Sequence, residues 1–222
     1  MTSTIAGNLD GVDQRIKQAC ERAGRLRETV TLVAVTKFQN PDSVRSLAAL
    51  GLVHFAESRV QEAQTKVPGL KGLGTWHFIG HLQTNKARQA AELFDVIQSV
   101  DSLRLAQKLD EAASALGRRL RVFAQVNCSQ EPQKQGFSLD SAAEGAAAMA
   151  RMPHLKLEGL MGMAPAGDAA AARHSFRGLR ELRVRLAPEL GPLLLSMGMS
   201  GDFEAAIEEG ADLVRIGSAL FP

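Results

Sequence analysis

Cysteine is scarce in this chain, since Cys20 and Cys128 are the only two among 222 residues. Two cysteines this far apart lack the spacing of a metal-binding knuckle, and they do not make a disulfide framework in a chain of this length. Tyrosine is absent altogether. No tyrosine hydroxyl of this chain can therefore act as an acid or a base.

Charge and apolar runs are equally limited. The formal net charge is only +2, and no block of Lys and Arg exceeds a few residues, so the sequence carries no electrostatic footprint of nucleic-acid or membrane-surface binding. No stretch approaches the length of about 18 apolar residues that a membrane span requires. The segment MTSTIAGNLDGVDQRIKQ lacks the basic and then apolar layout of a secretory signal. We therefore expect a cytoplasmic protein.

Apolar residues, 45% of the chain, are arranged in an alternating pattern of strands and helices. Runs typical of strands fall at about 30–36, 53–56, 75–79, 94–98, 120–126, 155–161, 193–197 and 212–216. Seven stretches with helical periodicity separate these runs, and a further one, Ile5 to Ala23, precedes them. Repeated βα units predict a parallel sheet, and eight strands favour closure into a barrel.

The predicted fold class is therefore α/β, a (β/α)8 TIM barrel with an extra N-terminal helix. A doubly wound open sheet is the rival, and it fits less well because no glycine fingerprint follows the first strand. No linker rich in Pro, Gly or Ser interrupts the chain, so we expect residues 1–222 to form a single domain. Since the sequence stops soon after its last strand, we expect the N-terminal helix to close the ring.

The residues at the predicted strand ends are rich in polar side chains and glycine, whereas those just before them are apolar. In barrels of this kind, functional residues collect at the carboxyl ends of the strands. The strand-end residues are Lys37, Glu57, Ser58, Gly80, His81, Ser99, Asn127, Gly162, Met163, Ser196, Gly198, Arg215, Gly217 and Ser218. We expect them to share one face, and we count His81 as a candidate for the pocket.

Lys37 follows the buried strand TVTLVAVT and carries the most informative chemistry. Burial lowers the pKa of a lysine towards the neutral amine, and a neutral amine is the nucleophile that forms an imine with an aldehyde. The alternative is that Lys37 extends from the strand end into solvent. Lys86 and Lys134 are rival amines, but both lie in polar stretches where we expect them to be hydrated.

The loops after the seventh and eighth strands have the composition of a phosphate site, which barrels of this kind commonly place there. Gly198 and Gly217 permit close approach of the main chain to an anion, and Ser196, Ser200 and Ser218 can donate hydroxyl hydrogen bonds. For Ser200 the role of helix N-cap before FEAAIEEG is favoured.

Arg215 lies within the last predicted strand, where a buried charge is costly unless it is paired. It should either reach the barrel mouth or contact a carboxylate such as Asp212 or Glu209. An amine, a phosphate site and an internal arginine together suit pyridoxal 5'-phosphate, which carries an aldehyde, a phosphate and a pyridine nitrogen.

Longer motifs point the same way. The segments TKFQNPDSV, FAESRVQEA, WHFIGHLQTNK, SVDS, VNCSQEPQKQGF, LEGLMGMAP and LSMGMSGDFEAAIEEGADLVRIGSALF resemble, in order, those of the YggS/PROSC family of pyridoxal phosphate homeostasis proteins. The resemblance runs from about Val33 to Phe221. It implies a single-domain barrel like the N-terminal domain of alanine racemase, with pyridoxal phosphate bound as an imine and no established catalytic turnover.

The resemblance also implies roles for individual residues. Lys37 would carry the cofactor and Arg215 would face the pyridine nitrogen. The phosphate would be held by Ser196, Gly217 and Ser218, and the pocket would be lined by Asn127, Met163 and Met197. One departure is that Ala56, Glu57 and Ser58 stand where the family usually has Gly-Glu-Asn, so the shorter Ser58 would replace an asparagine near the ring hydroxyl.

Two classes of function compete. A carrier would bind pyridoxal phosphate, buffer its intracellular level and hand it to apo-enzymes; the alternative is a racemase or other amino-acid-acting enzyme that uses the cofactor, or a lysine-dependent aldolase without one. In the alanine racemase relatives a tyrosine from a separate β domain supplies one acid–base group, and this chain has no tyrosine. We therefore expect a carrier, not an enzyme. We also expect a monomer, because a closed barrel pairs its own strands.

Overall fold

The computed structural model describes residues 4–129, 131 and 134–221. Within them, eight parallel strands pair in chain order and close into a barrel through β1 and β8. The strands are β1 Thr31–Val35, β2 His54–Glu57, β3 Thr75–Phe78, β4 Val96–Val100, β5 Leu120–Val126, β6 Leu155–Gly162, β7 Leu194–Ser196 and β8 Leu213–Ile216. The predicted (β/α)8 barrel is confirmed.

Among the described residues, one α-helix precedes the barrel and seven follow successive strands. They are α1 Ile5–Arg22, α2 Pro41–Ala49, α3 Val60–Lys66, α4 Ala87–Leu93, α5 Leu103–Ala115, α6 Ala142–Ala150, α7 Ala169–Leu190 and α8 Phe203–Glu208. Several helices begin at a residue whose side chain accepts a hydrogen bond from a backbone N–H, which is the usual N-cap interaction. At the start of α2, the Asn40 side chain accepts from the Ser43 N–H. In the described part of the chain, no helix is both long and apolar enough to cross a membrane.

Two apolar layers hold the barrel together because successive strand residues point to opposite faces. The outer layer lies between strands and helices and contains fully buried aromatic side chains such as Phe55, Trp76 and Phe94. The inner layer fills the barrel itself. Its members are Val33, Val35, Ala56, Val96, Phe123, Met161 and Leu213. The barrel is thus a packed core, and its carboxyl end is left to carry function.

The N-terminal helix closes the ring of helices, as expected. Helix α1 packs against α8 on one side and α2 on the other. Its Asn8 amide donates to the Leu220 carbonyl at 3.3 Å, and its Arg15 and Arg22 form ion pairs with Glu204 and Glu208 of α8. These contacts tie the first helix to the end of the described chain.

Gly159 in β6 should not tolerate a side chain. A Cβ at this position would lie 2.1 Å from the Leu194 carbonyl oxygen and 2.6 Å from Cε1 of Phe123, so backbone or packing must shift. We expect Gly159→Ala to lower the free energy of unfolding by about 2–3 kcal/mol. Gly11→Ala is the control: its Cβ would meet nothing within 4 Å on α1, and it should stabilise by about 0.5–1 kcal/mol. Urea unfolding measures both, and equal effects would contradict this packing.

Glu208 should make the fold sensitive to acid. Hydrogen bonds from Arg173 and then Arg22 lower the pKa of this carboxyl below its ordinary value of 4.5. A depressed folded-state pKa contributes stability that is complete above the ordinary value and is lost as the pH falls through the folded-state value. We expect the urea concentration at the midpoint of unfolding to decrease as the pH is lowered below about 4.5. Glu208→Gln should make this decrease smaller. An unchanged profile in the variant would contradict the assignment.

Candidate functional site

The carboxyl ends of neighbouring strands bring the predicted site residues to one rim of the barrel. Strand β1 pairs with β2 on one side and β8 on the other. Lys37 follows β1, so its turn lies between the segments that carry Ser58 and Gly217. The main chain of β8 approaches β1 closely here, since a Cβ on Gly217 would lie 3.3 Å from Cβ of Val35.

Lys37 itself is exposed, so the expectation that it is buried is wrong, and the alternative, extension into solvent, is what the structure has. The reason is local: β1 ends at Val35, Thr36 is still buried, and the chain then turns outward through Phe38, whose φ is 66°. The Lys37 Nζ atom lies 5.9 Å from the centroid of the exposed Phe38 ring. The Arg59 guanidinium lies 5.4 Å from the same ring.

A buried ion pair anchors the turn that carries Lys37. The Glu57 Oε1 atom accepts hydrogen bonds from Thr36 Oγ1 at 2.7 Å and from Lys66 Nζ at 2.8 Å. Lys66 Nζ also donates to the Thr36 carbonyl at 2.9 Å. Sequence reasoning did not single out Lys66. Glu57 could have pointed to it, because a fully buried carboxylate needs a cationic partner. Lys66 lies at the end of the helix that follows Glu57.

Arg215 lies inside the barrel with only 3% of its surface exposed. Its guanidinium donates to Ser196 Oγ at 2.8 Å and to the Gly162 carbonyl at 2.9 Å. Burial lowers the pKa of this guanidinium to about 10. In the described residues no carboxylate forms an ion pair with it. The alternative prediction, that Arg215 contacts Asp212 or Glu209, is wrong. Asp212 pairs with Arg25 and Arg183, and Glu209 pairs with arginines of α7.

Ser196, the last residue of β7, and Met197, which follows it, occupy positions different from those expected. Ser196 is fully buried, and its hydroxyl both accepts from Arg215 and donates to Gln98 Oε1 at 2.6 Å. This hydroxyl is engaged inside the barrel and is not free to hold a phosphate. Because Ser196 points inward, Met197 points outward and packs in the layer between barrel and helices, so it does not line the pocket.

The loops after β7 and β8 meet through Ser200, whose Oγ accepts a hydrogen bond from the Gly217 amide at 3.3 Å. Helix α8 has Asp202 as its N-cap, so the expectation that Ser200 caps it is wrong. Ser200 Oγ is the acceptor in its contact with Gly217, so its own hydroxyl hydrogen stays available to a ligand. Gly198 has φ 92°, and Ser218 is exposed at the same rim. Two hydroxyls and two glycines lie at this part of the rim, which suits an anion.

Ser58 and His81 lie on the side of the rim that β2 and β3 form. Together with Arg59 and Lys86 they line a recess of about 220 Å³. The His81 ring is half exposed, and its Nδ1 lies 3.4 Å from Asp101 Oδ2. Arg59 pairs with Glu62 at 3.0 Å, whereas Lys86 brings a positive charge to this recess, which favours anionic ligands.

Asn127 and Met163 complete the predicted set. The Asn127 side-chain amide donates to the carbonyls of Glu131 and Lys134 at 2.8 and 3.1 Å, so it holds the loop after β5. Met163 is half-buried and packs against the apolar layer inside the barrel. Lys134, expected to be hydrated, instead donates to the Ala164 carbonyl at 3.0 Å and pairs with Glu131.

Comparison with known proteins gives full-length matches. The family model for the alanine racemase N-terminal domain matches residues 8–222. A pyridoxal phosphate homeostasis protein of Pseudomonas aeruginosa is 46% identical over 221 residues, which cover 99% of this chain and 95% of the relative. A protein of the same name from Escherichia coli is 40% identical over 227 residues, with 98% and 95% covered.

A solved structure has the same architecture. PipY of Synechococcus elongatus, with pyridoxal phosphate bound, superposes with a TM-score of 0.82 at 37% identity, covering 94% of this chain and 100% of PipY. Family model, identity and fold agree over nearly the whole length. The chain belongs to the alanine racemase N-terminal domain family and, within it, to the pyridoxal phosphate homeostasis proteins.

Proposed function

We propose that this chain binds pyridoxal 5'-phosphate through an imine on Lys37 and acts in the homeostasis of that cofactor, holding and releasing it without turning over amino acids. The names of its relatives and the bound cofactor of PipY support this function. The observation that carries it is the buried Arg215 guanidinium, which has N–H donors to spare and no carboxylate partner in the described residues.

The residues at the rim fit the three functional groups of the cofactor. An arginine has five N–H donors. Arg215 uses one N–H of each terminal nitrogen, one on Ser196 and one on Gly162. The remaining donors can bind the pyridine nitrogen as an acceptor. Lys37 offers a solvent-accessible amine to the aldehyde. The hydroxyls of Ser200 and Ser218 offer donors to the phosphate, and Gly217, which has no side chain, lets the anion approach the main chain.

Arg215 also favours holding the cofactor over using it. Bound pyridoxal phosphate supplies an electron sink whose strength depends on a protonated ring nitrogen. A cationic arginine donates to that nitrogen and disfavours its protonation, which weakens the sink. The 222 residues contain no tyrosine to serve as a second acid–base group on the opposite face of a substrate.

Exposure of Lys37 suits exchange of the cofactor with other proteins. We propose that apo-enzymes dependent on pyridoxal phosphate receive it at the open rim, that residues 1–222 act as one domain, and that the protein is a monomer. The buried free thiols of Cys20 and Cys128 suit a reducing compartment such as the cytoplasm.

The proposed imine predicts a specific loss of colour. Protein incubated with pyridoxal phosphate should absorb visible light, and borohydride should fix the adduct on the peptide that contains Lys37. Lys37→Ala should lose both the absorbance and the adduct while keeping the melting temperature within about 2 °C, since the side chain is exposed. Lys86→Ala and Lys134→Ala are the controls and should stay coloured. A fixed adduct on either of these lysines would overturn the proposal.

The proposed phosphate contact predicts a ligand-dependent effect of Ser200. Removing a hydrogen bond to a charged group costs about 1.5–3 kcal/mol, so Ser200→Ala should weaken pyridoxal phosphate binding about tenfold or more. Binding of pyridoxal, which lacks the phosphate, should stay within about twofold. Equilibrium titration of both ligands measures the difference. Equal losses for the two ligands would show that Ser200 acts on the fold of the loop and not on the phosphate.

A further inference from the structure

A row of polar side chains crosses the apolar interior of the barrel from Arg215 to the opposite face. Ser196 Oγ accepts from Arg215 at 2.8 Å and donates to Gln98 Oε1 at 2.6 Å. Gln98 Nε2 lies 2.9 Å from His77 Nδ1, and His77 Nε2 lies 3.1 Å from His54 Nδ1. The first four side chains are at most 3% exposed. They come from four strands that are not all neighbours.

The chemistry of arginine fixes the direction of the first bonds in this row. A guanidinium can only donate, so Ser196 accepts from Arg215, and its own hydrogen is left for a second acceptor. That acceptor is the amide oxygen of Gln98. Once the oxygen of Gln98 faces Ser196, its NH2 group must face His77. Only this orientation of the amide gives the Ser196 hydroxyl hydrogen an acceptor in the row.

The orientation of the Gln98 amide also fixes where the His77 ring carries its proton. Burial lowers the pKa of His77 to about 3, so its ring is neutral near pH 7 and carries one proton. Because His77 Nδ1 accepts from Gln98, the proton is on Nε2 and is donated to His54 Nδ1. Every donor in the row thus points from Arg215 towards His54. His54 lines a separate cavity of about 560 Å³ at the amino-terminal face.

Building on the proposed function, we propose that Gln98 is a positioning residue for Arg215 in cofactor binding. Its oxygen holds the Ser196 hydroxyl as an acceptor, and that acceptor together with the Gly162 carbonyl fixes the guanidinium across the end of the barrel. His77 locks the amide against rotation. Gln98 lies one hydrogen bond further away than Ser196 and acts on the cofactor only through Arg215.

The choice of Gln98 over the other buried glutamine inside the barrel follows from its contacts. Gln125, on β5, is 4% exposed and donates to the Gln135 carbonyl at 3.0 Å. It takes no part in the row that ends at Arg215. Gln125→Leu therefore removes a buried amide of the same kind without touching the arginine, and it is the matched control.

The first test needs no cofactor. Nitrogen-15 NMR of the histidine rings in protein free of pyridoxal phosphate should find His77 protonated at Nε2 and bare at Nδ1. A proton on Nδ1 would mean that the oxygen of Gln98 faces His77 and cannot accept from Ser196. That result would overturn the inference whatever the protein binds.

The second test measures affinity. Gln98→Leu should weaken pyridoxal phosphate binding about tenfold, because Arg215, a charged donor, would no longer be held where it can bind the ring nitrogen. The Lys37 imine should still form at saturation. Gln98→Glu keeps an acceptor oxygen for Ser196 and should return the affinity to within about threefold of the unmodified protein. If Gln98→Leu does not fold, Gln98→Glu still allows the role of Gln98 to be tested. Gln125→Leu should bind as the unmodified protein does.

These outcomes separate the inference from the function on which it rests. If the unmodified protein binds pyridoxal phosphate and Gln98→Leu binds it equally well, the role of Gln98 is overturned while the proposed function stands. Failure of Gln98→Glu to restore affinity would also overturn it. If the unmodified protein binds no pyridoxal phosphate, the proposed function fails, and the role of Gln98 fails with it even where His77 has the expected tautomer.

Discussion

The structure depends most on how a barrel interior accommodates one positive charge. Removing a guanidinium from water costs several kcal/mol even after relaxation, and Arg215 is removed from water almost completely. A carboxylate neighbour would repay this cost but would also occupy the donors. Here two uncharged oxygens, from Ser196 and Gly162, satisfy part of the guanidinium and leave the rest for an acceptor that comes from outside. In our proposal, that acceptor is the ring nitrogen of the cofactor.

The surrounding architecture supports this arrangement at both ends. Apolar side chains fill the barrel around the polar row, so the hydrogen bonds within it lie in a medium of low dielectric where they are strong and directional. At the rim, the buried Glu57 and Lys66 anchor the turn after β1, while Lys37 itself extends from that turn into solvent. A fixed arginine and an accessible lysine meet the two demands on a carrier, which must hold its cofactor in one orientation and also release it.

Much of the fold could be predicted from the sequence because period-two and helical spacing are local properties. The eight apolar runs became eight strands, and the strand-end residues Lys37, Ser58, Arg215 and Gly217 do lie at the carboxyl side of the barrel. What could not be predicted is the partner of each polar side chain. Asp212 and Glu209 are near Arg215 in sequence, yet they pair with arginines that are distant along the chain, namely Arg25, which follows α1, and arginines of α7. The strand register also decides that Ser196 points inward and Met197 outward, and a sequence motif does not specify that register.

In our proposal, the free donors of Arg215 bind the pyridine nitrogen of the cofactor. Binding of pyridoxal phosphate can be compared with that of an analogue in which a C–H group replaces the ring nitrogen, in the unmodified protein and in Arg215→Met. The account predicts that the analogue binds about tenfold or more weakly to the unmodified protein, and that the two ligands bind Arg215→Met within about twofold of each other. Equal affinity of both ligands for the unmodified protein would contradict it.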